Sequence, residues 1–246
     1  TILRKEVRRF VRIWIQTLLP PAVTTALYFL IFGHLIGERI GEMGGFSYLA
    51  YIVPGVILMS VITNAYGNVV ASFFSTKIQH YVEEMLVAPV ADWVILVGYV
   101  GGGVLRGLAV AVVVTLVAVV FAEVHLHNPW VTAAVVVLTA SLFSLAGFLN
   151  AIFAKHFDDI SLIPTFVLTP LTYLGGVFYS VEMLEGVWRD LSTLNPILYM
   201  INAFRYGLLG VSDVGLVQAF VIMVAFNVLL AGLALALLRR GTGIKS

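Results

Sequence analysis

Cysteine is absent from the 246-residue chain. That excludes disulfides, zinc–thiolate sites, iron–sulfur clusters and cysteine nucleophiles. Charge is scarce: 11% of residues are charged and 61% are hydrophobic, where a soluble domain is about a quarter charged and half apolar. No G-x-x-x-x-G-K-[ST] sequence occurs, so no ATP site of the phosphate-loop kind is expected. Carboxylates are missing from the interiors of the apolar runs, which counts against a proton- or sodium-driven transporter. Those runs also lack a Ser/His pair, paired Asp residues or an H-E-x-x-H arrangement, which counts against an intramembrane enzyme. No internal repeat is visible.

What remains is a strongly apolar chain, with mean hydropathy +1.03. The apolar runs are continuous rather than alternating, so they predict membrane-spanning helices and not a barrel. Six spans are expected, at about 19–37, 48–74, 93–122, 130–154, 160–180 and 214–238. The third is longer than one ~20-residue crossing, so it is tilted or partly outside lipid. The fifth carries Pro164, Pro170, Gly175 and Gly176 and is expected to be kinked.

The net charge of +1 is uninformative, but its distribution is not. Arg4, Lys5, Arg8, Arg9, Arg12, Lys77, Lys155, Arg239, Arg240 and Lys245 fall on the side of the termini. Only Arg39, Arg189 and Arg205 fall on the other. Basic residues stay cytoplasmic, so both termini are expected in the cytoplasm.

Residues 2–18 read as an amphipathic helix. Leu3, Val7, Phe10, Trp14 and Leu18 share one face, and Lys5, Arg8, Arg9 and Arg12 lie opposite, a pattern suited to an anionic membrane surface. The Arg8-Arg9-Phe10 triplet has no small-residue cleavage site after it, so it is read as part of this helix rather than as a targeting signal.

Residues 75–90, STKIQHYVEEMLVAPV, form a second amphipathic stretch between spans. Ile78, Tyr81, Val82, Met85 and Leu86 make one helical stripe. Thr76 and Gln79 have capping-box spacing, and Pro89 stops the helix. Glu83 and Glu84 would be repelled by anionic lipid, so the stripe is read as docking into a cytosolic protein rather than lying on the bilayer.

Residues 181–212 are mixed in character. Asn195-Pro196 is an N-cap followed by Pro at the first helical position. The ~14-residue helix that follows is too short to cross, and is read as a re-entrant or interfacial hairpin on the outer side. Glu182, Glu185, Arg189 and Asp190 there either guide a substrate or hold the hairpin at the interface.

Arg106 is the lone basic residue inside an apolar run. It is either a functional intramembrane charge or a side chain snorkelling to the inner interface. The glycine-rich GYVGGGVLRG at 98–107 is read as a close-packing surface. His125 and His127 read as solvated loop residues, and Lys155, Asp158 and Asp159 as an ordinary charged turn. The aromatics Tyr28, Phe32, Tyr66, Phe166, Tyr173, Phe178 and Tyr179 suit either a path through the membrane or plain packing.

Taken with EEMLVAPV at 83–90, PLTYLGGVFYS at 170–180 and LNPILYMINAFR at 194–205, the chain resembles the membrane subunit of ABC-2 type transporters. These are exporters of polysaccharides, lipid-linked glycans and drugs. The signature region of that family places a Pro, an aromatic and an Arg where Pro196, Tyr199 and Arg205 stand. The resemblance implies an all-α, single-domain fold over residues 1–246, of the type V exporter kind. It would have six spans, an interfacial N-terminal helix, a coupling helix at 75–90 and outer re-entrant helices. It further implies a homodimer in the bacterial inner membrane, seated on a separate cytosolic ATPase. That partner would bind ATP and Mg, and this chain would hold no cofactor. A membrane scaffold that borrows the architecture is the alternative outside transport.

Overall fold

A computed structural model describes residues 2–79, 81 and 90–241, with only the backbone described at His34, Leu35 and Glu38. The chain opens with α1 (Ile2–Arg12), which ends at Ile13, where φ −110° and ψ 35° leave the helical region. The Ile13 carbonyl accepts both the Thr17 backbone N–H at 3.0 Å and the Thr17 hydroxyl at 2.9 Å, and that hydroxyl also reaches the Phe10 carbonyl of α1 at 3.4 Å. α2 (Trp14–Tyr28) then runs through a wider π-type turn, Phe29–Ile36, into α3 (Gly37–Ile40). The single helix expected over 2–18 is therefore two. Trp14 and Leu18 belong to α2, which starts before the span expected at 19–37 and carries Pro20 and Pro21 inside it.

A two-stranded hairpin follows, β1 (Glu42–Met43) paired with β2 (Phe46–Ser47). Its turn residues Gly44 and Gly45 both have positive φ, 60° and 81°, which glycine adopts without strain.

α4 (Tyr48–Ile78) is 31 residues long, starts at a Ser47 cap and is apolar on every face but one. Such a helix must be surrounded, and it is: α5 (Asp92–Phe121) and α6 (Pro129–Phe153) pack along it. No break occurs at position 75. Thr76 is buried within α4, and its hydroxyl donates to the Ser72 carbonyl at 2.9 Å. The capping role expected of it is corrected, because the span simply continues.

α7 (Asp159–Ile163), a π-type turn at Pro164–Leu168 and α8 (Thr169–Leu174) form one bent apolar rod. At 1.5 Å per residue it reaches about 24 Å, short of a ~30 Å core. The span expected to reach 180 stops at Gly175, since Gly176 has φ 78° and cannot continue a helix. The chain closes with α9 (Val187–Thr193), α10 (Pro196–Leu209) and α11 (Leu216–Arg240). Among the described residues, five helices are long and apolar enough to cross a membrane: Trp14–Gly33, Tyr48–Ile78, Asp92–Phe121, Pro129–Phe153 and Leu216–Arg240.

α10 is buried against α4, α6 and α11 along almost its whole length. Of the two forms expected, re-entrant or interfacial, this burial leaves the helix packed inside the bundle rather than lying on its surface. Its cap is as read: the Asn195 side chain accepts from the Ile197 N–H at 3.0 Å. Asn195 also donates to the Leu171 carbonyl at 2.5 Å, which fixes α10 to α8.

The glycines of 98–107 are used on two sides of α5. A Cβ on Gly98 or Gly102 would meet Ile2 or Glu6 of α1, while one on Gly103 would run into Ser144 and Val69. On α6, a Cβ on Gly147 would sit 2.6 Å from the Tyr66 carbonyl oxygen. In lipid there is no hydrophobic drive between helices, so such close backbone packing and buried hydrogen bonds supply the cohesion.

Candidate functional site: a polar seam and the groove beside it

Along α4 the residues Ser60, Asn64, Asn68, Ser72 and Thr76 recur every four positions, one polar ridge on an otherwise apolar helix. Each has a partner on another element. Ser60 meets the Thr25 hydroxyl at 3.5 Å, Asn64 accepts from Arg106 at 3.2 Å, and Asn68 accepts from Arg9 at 2.9 Å. Ser72 donates to Glu6 at 2.6 Å and Thr76 accepts from the Tyr99 hydroxyl at 3.1 Å. The seam thus ties α1, α2 and α5 to α4. Its spacing is legible in the sequence, but of the five residues only Thr76 is singled out there, and as a cap.

The seam revises the N-terminal helix. The packed face of α1 is Glu6 with Phe10, and Glu6 is 1% exposed. Arg9 turns inward, pairing with Glu6 at 3.0 Å and Asn68 at 2.9 Å. Lys5, Arg8 and Arg12 remain on the exposed side, but Arg9 leaves the basic face assigned to it. A carboxylate within an amphipathic face reads as an interruption until its partners, Ser72 and Arg9, are seen.

Beside the seam lies a groove of about 510 Å³ between α2, α4 and the Asp159–Leu174 rod. Gln16, Asn64, Gly67 and Arg106 line the end near α1, and Tyr28 and Tyr173 line the other. The Tyr28 and Tyr173 hydroxyls meet at 3.3 Å, and Phe178 stacks on Phe32 at 4.6 Å just beyond. Of the aromatics considered from the sequence, Tyr28, Tyr66 and Tyr173 line the groove. Phe166 is exposed, and Tyr179 bonds Ser192 at 3.5 Å. Arg106 has no ion pair among the described residues. It points at Asn64 within the groove wall.

At the hairpin end, Arg205 is fully buried. Its guanidinium lies 4.0 Å above the Tyr51 ring, donates to the Gly176 carbonyl at 2.7 Å and to Asn202 at 3.3 Å, and faces Asp213 at 3.9 Å. Expected on the outer side by sequence, it is buried among helices and anchors residues 175–180. Pro196 stands at the first position of α10, and the Tyr199 hydroxyl closes on the Thr193 carbonyl at 2.8 Å. Asp213 also accepts from the Ser180 hydroxyl at 2.8 Å.

At the opposite end, Lys77 donates to the Ile152 and Ala154 carbonyls at 2.5 and 2.8 Å, closing the last turn of α6. Ile78 and Tyr81 are exposed, at 42% and 51%. Val82, Glu83, Glu84, Met85 and Leu86 lie outside the described residues. In the nearby turn the backbone N–H groups of Lys155 and His156 donate to Asp159 and hold its carboxyl below the ordinary carboxylate range. His125 packs edge-on to Phe46 and His127 to Tyr206.

Residues 1–209 match the family described as ABC-2 type transporter. Over 246 residues the chain is 58% identical to the inner membrane transport permease YadH of Escherichia coli K12, covering 100% of this chain and 96% of that one. It is also 24% identical over 217 residues to nodulation protein J of Sinorhizobium fredii, covering 88% of this chain and 82% of that one.

Proposed function

This chain belongs to the ABC-2 type transporter family, and on that premise we propose that it is the permease half of an ATP-driven exporter. As a member it is a transport subunit rather than an enzyme and works with an ATPase subunit, in the inner membrane. The finer reading concerns how force reaches the substrate. Two copies face each other across α2 and the Asp159–Leu174 rod, and the rod serves as a sixth, bent span. Both termini are cytoplasmic, and residues 1–246 act as one transmembrane domain. The substrate is lipidic, a glycolipid or polysaccharide, or drug-like, and travels along the groove. The observation that carries this reading is the groove itself, about 510 Å³ with α2 and the rod as its walls, which a second copy would close.

Residues 75–90 are the coupling segment, with Ile78, Tyr81, Val82, Met85 and Leu86 entering a cleft of the ATPase and Glu83 and Glu84 at its rim. ATP and Mg bind that partner and not this chain. Lys5, Arg8 and Arg12 rest on anionic lipid. Because Tyr48–Ile78 is one unbroken helix, a push on its end moves the seam without an intervening hinge, and through the seam α1, α2 and α5.

The test is the pair Ile78→Asp and Met85→Asp in the complex with its ATPase. Substrate-stimulated ATP hydrolysis is expected to be lost while both variants still insert and purify as folded membrane protein. Normal stimulation in both would end the coupling assignment.

A further inference from the structure

We infer that Arg106 forms an anion-recognition subsite, so that the transported amphipath carries an anionic headgroup of the phosphate, sulfate or carboxylate class. The inference rests on the exporter reading and narrows its substrate.

Two guanidiniums reach the polar seam of α4 one turn apart, Arg106 at Asn64 and Arg9 at Asn68. Only Arg9 is neutralised, by Glu6 at 3.0 Å. Among the described residues Arg106 has no carboxylate partner. Its single side-chain bond, to Asn64, is a neutral amide contact of 3.2 Å, and its Nε is buried without any partner. A guanidinium presents five donors, so most of its capacity is unspent.

Its position makes that costly. Arg106 lies four residues beyond Gly102, where α1 packs, hence about 6 Å further along α5. It stands mid-helix in Asp92–Phe121, where an ionised side chain facing lipid is expensive. It faces the groove instead, and it is the sole charged residue among the described groove lining. The rest of the polar wall is neutral: Gln16, Thr24, Thr63, Asn64 and Thr172 offer hydroxyls and amides. A cavity with one unneutralised guanidinium and neutral hydrogen-bonding walls is complementary to a single anionic group, held by the paired donors that suit oxyanions. The apolar tail then leaves through the open side between α2 and the rod.

The experiment titrates two radiolabelled probes with matched tails, decyl phosphate and decyl glucoside, against the full chain in phosphatidylcholine nanodiscs, with empty nanodiscs as background. The wild type is expected to bind decyl phosphate at least about tenfold more tightly, as a charge-assisted pair warrants. Arg106→Gln should bring the two within about twofold and leave glucoside binding unchanged, which shows the fold intact. Arg106→Lys should keep most of the preference, and the surface control Arg4→Gln all of it. No preference in the wild type, or a preference that survives Arg106→Gln, overturns the subsite. Displacement of decyl phosphate by an equal concentration of inorganic phosphate overturns the requirement for a tail. A chain that binds both probes alike yet retains its ATPase loses the anion site alone. A chain that never associates with an ATPase loses the exporter reading, whatever it binds.

Discussion

Arg205 on α10 stacks over Tyr51 in the first turn of α4, with its Cζ 4.0 Å from the ring centroid and its only ion pair, among the described residues, to Asp213 at 3.9 Å. The pair joins two helices and, through Gly176, the non-helical segment 175–180. Truncating one member of a buried charge network leaves the rest uncompensated and costs about 3–5 kcal/mol. Arg205→Ala is therefore expected to lower stability by that order, and Tyr51→Leu by about 2 kcal/mol. The double variant should lose less than the sum by about 1–2 kcal/mol. Unfolding of purified protein in detergent measures all three.

Gly147→Ala is expected to cost about 1–3 kcal/mol, because its Cβ would sit 2.6 Å from the backbone oxygen of Tyr66, which cannot rotate away. Gly232→Ala meets nothing within 4 Å and should gain up to about 1 kcal/mol from helix propensity. Opposite signs in the same unfolding assay check the packing; equal effects would refute it.

Glu6 holds α1 on the bundle through Ser72 and Arg9. Glu6→Ala should free α1 locally at a cost of about 1–3 kcal/mol, leaving the five long helices in place. Hydrogen exchange is expected to accelerate in residues 2–12 and to stay unchanged in α4 and α6.

Lys77 closes the end of α6 with two charge-assisted bonds. Lys77→Met should weaken that junction by about 1–3 kcal/mol and reduce the substrate-stimulated part of ATP hydrolysis. The amount of ATPase that co-purifies should stay the same, and densitometry beside the hydrolysis assay separates the two.

The absence of cysteine makes the copy-to-copy contact directly measurable. Leu27→Cys on α2 is 54% exposed and Val120→Cys on α5 is 80% exposed at the wild-type residues. Oxidative cross-linking in membranes is expected between copies at position 27 and absent at position 120. The reverse pattern would put the dimer face elsewhere.

Hydropathy, the long uninterrupted runs and the Asn195-Pro196 cap determined from the sequence alone that this is a helical membrane protein with a short helix after residue 195. The glycines of 98–107 marked a packing face for the same reason, since small residues in lipid have little other use. Tertiary structure alone decided which polar residues matter. Arg9 reads as part of a basic face and Arg205 as a loop-side charge, but Asn68 and Gly176, more than ten residues away in the chain, engage them, as Ser72 engages Glu6. Periodicity reports which residues share a face of one helix. It carries no information on what a second helix brings to that face, and in a bilayer the hydrogen bond or charge supplied from there fixes where a polar side chain can stand.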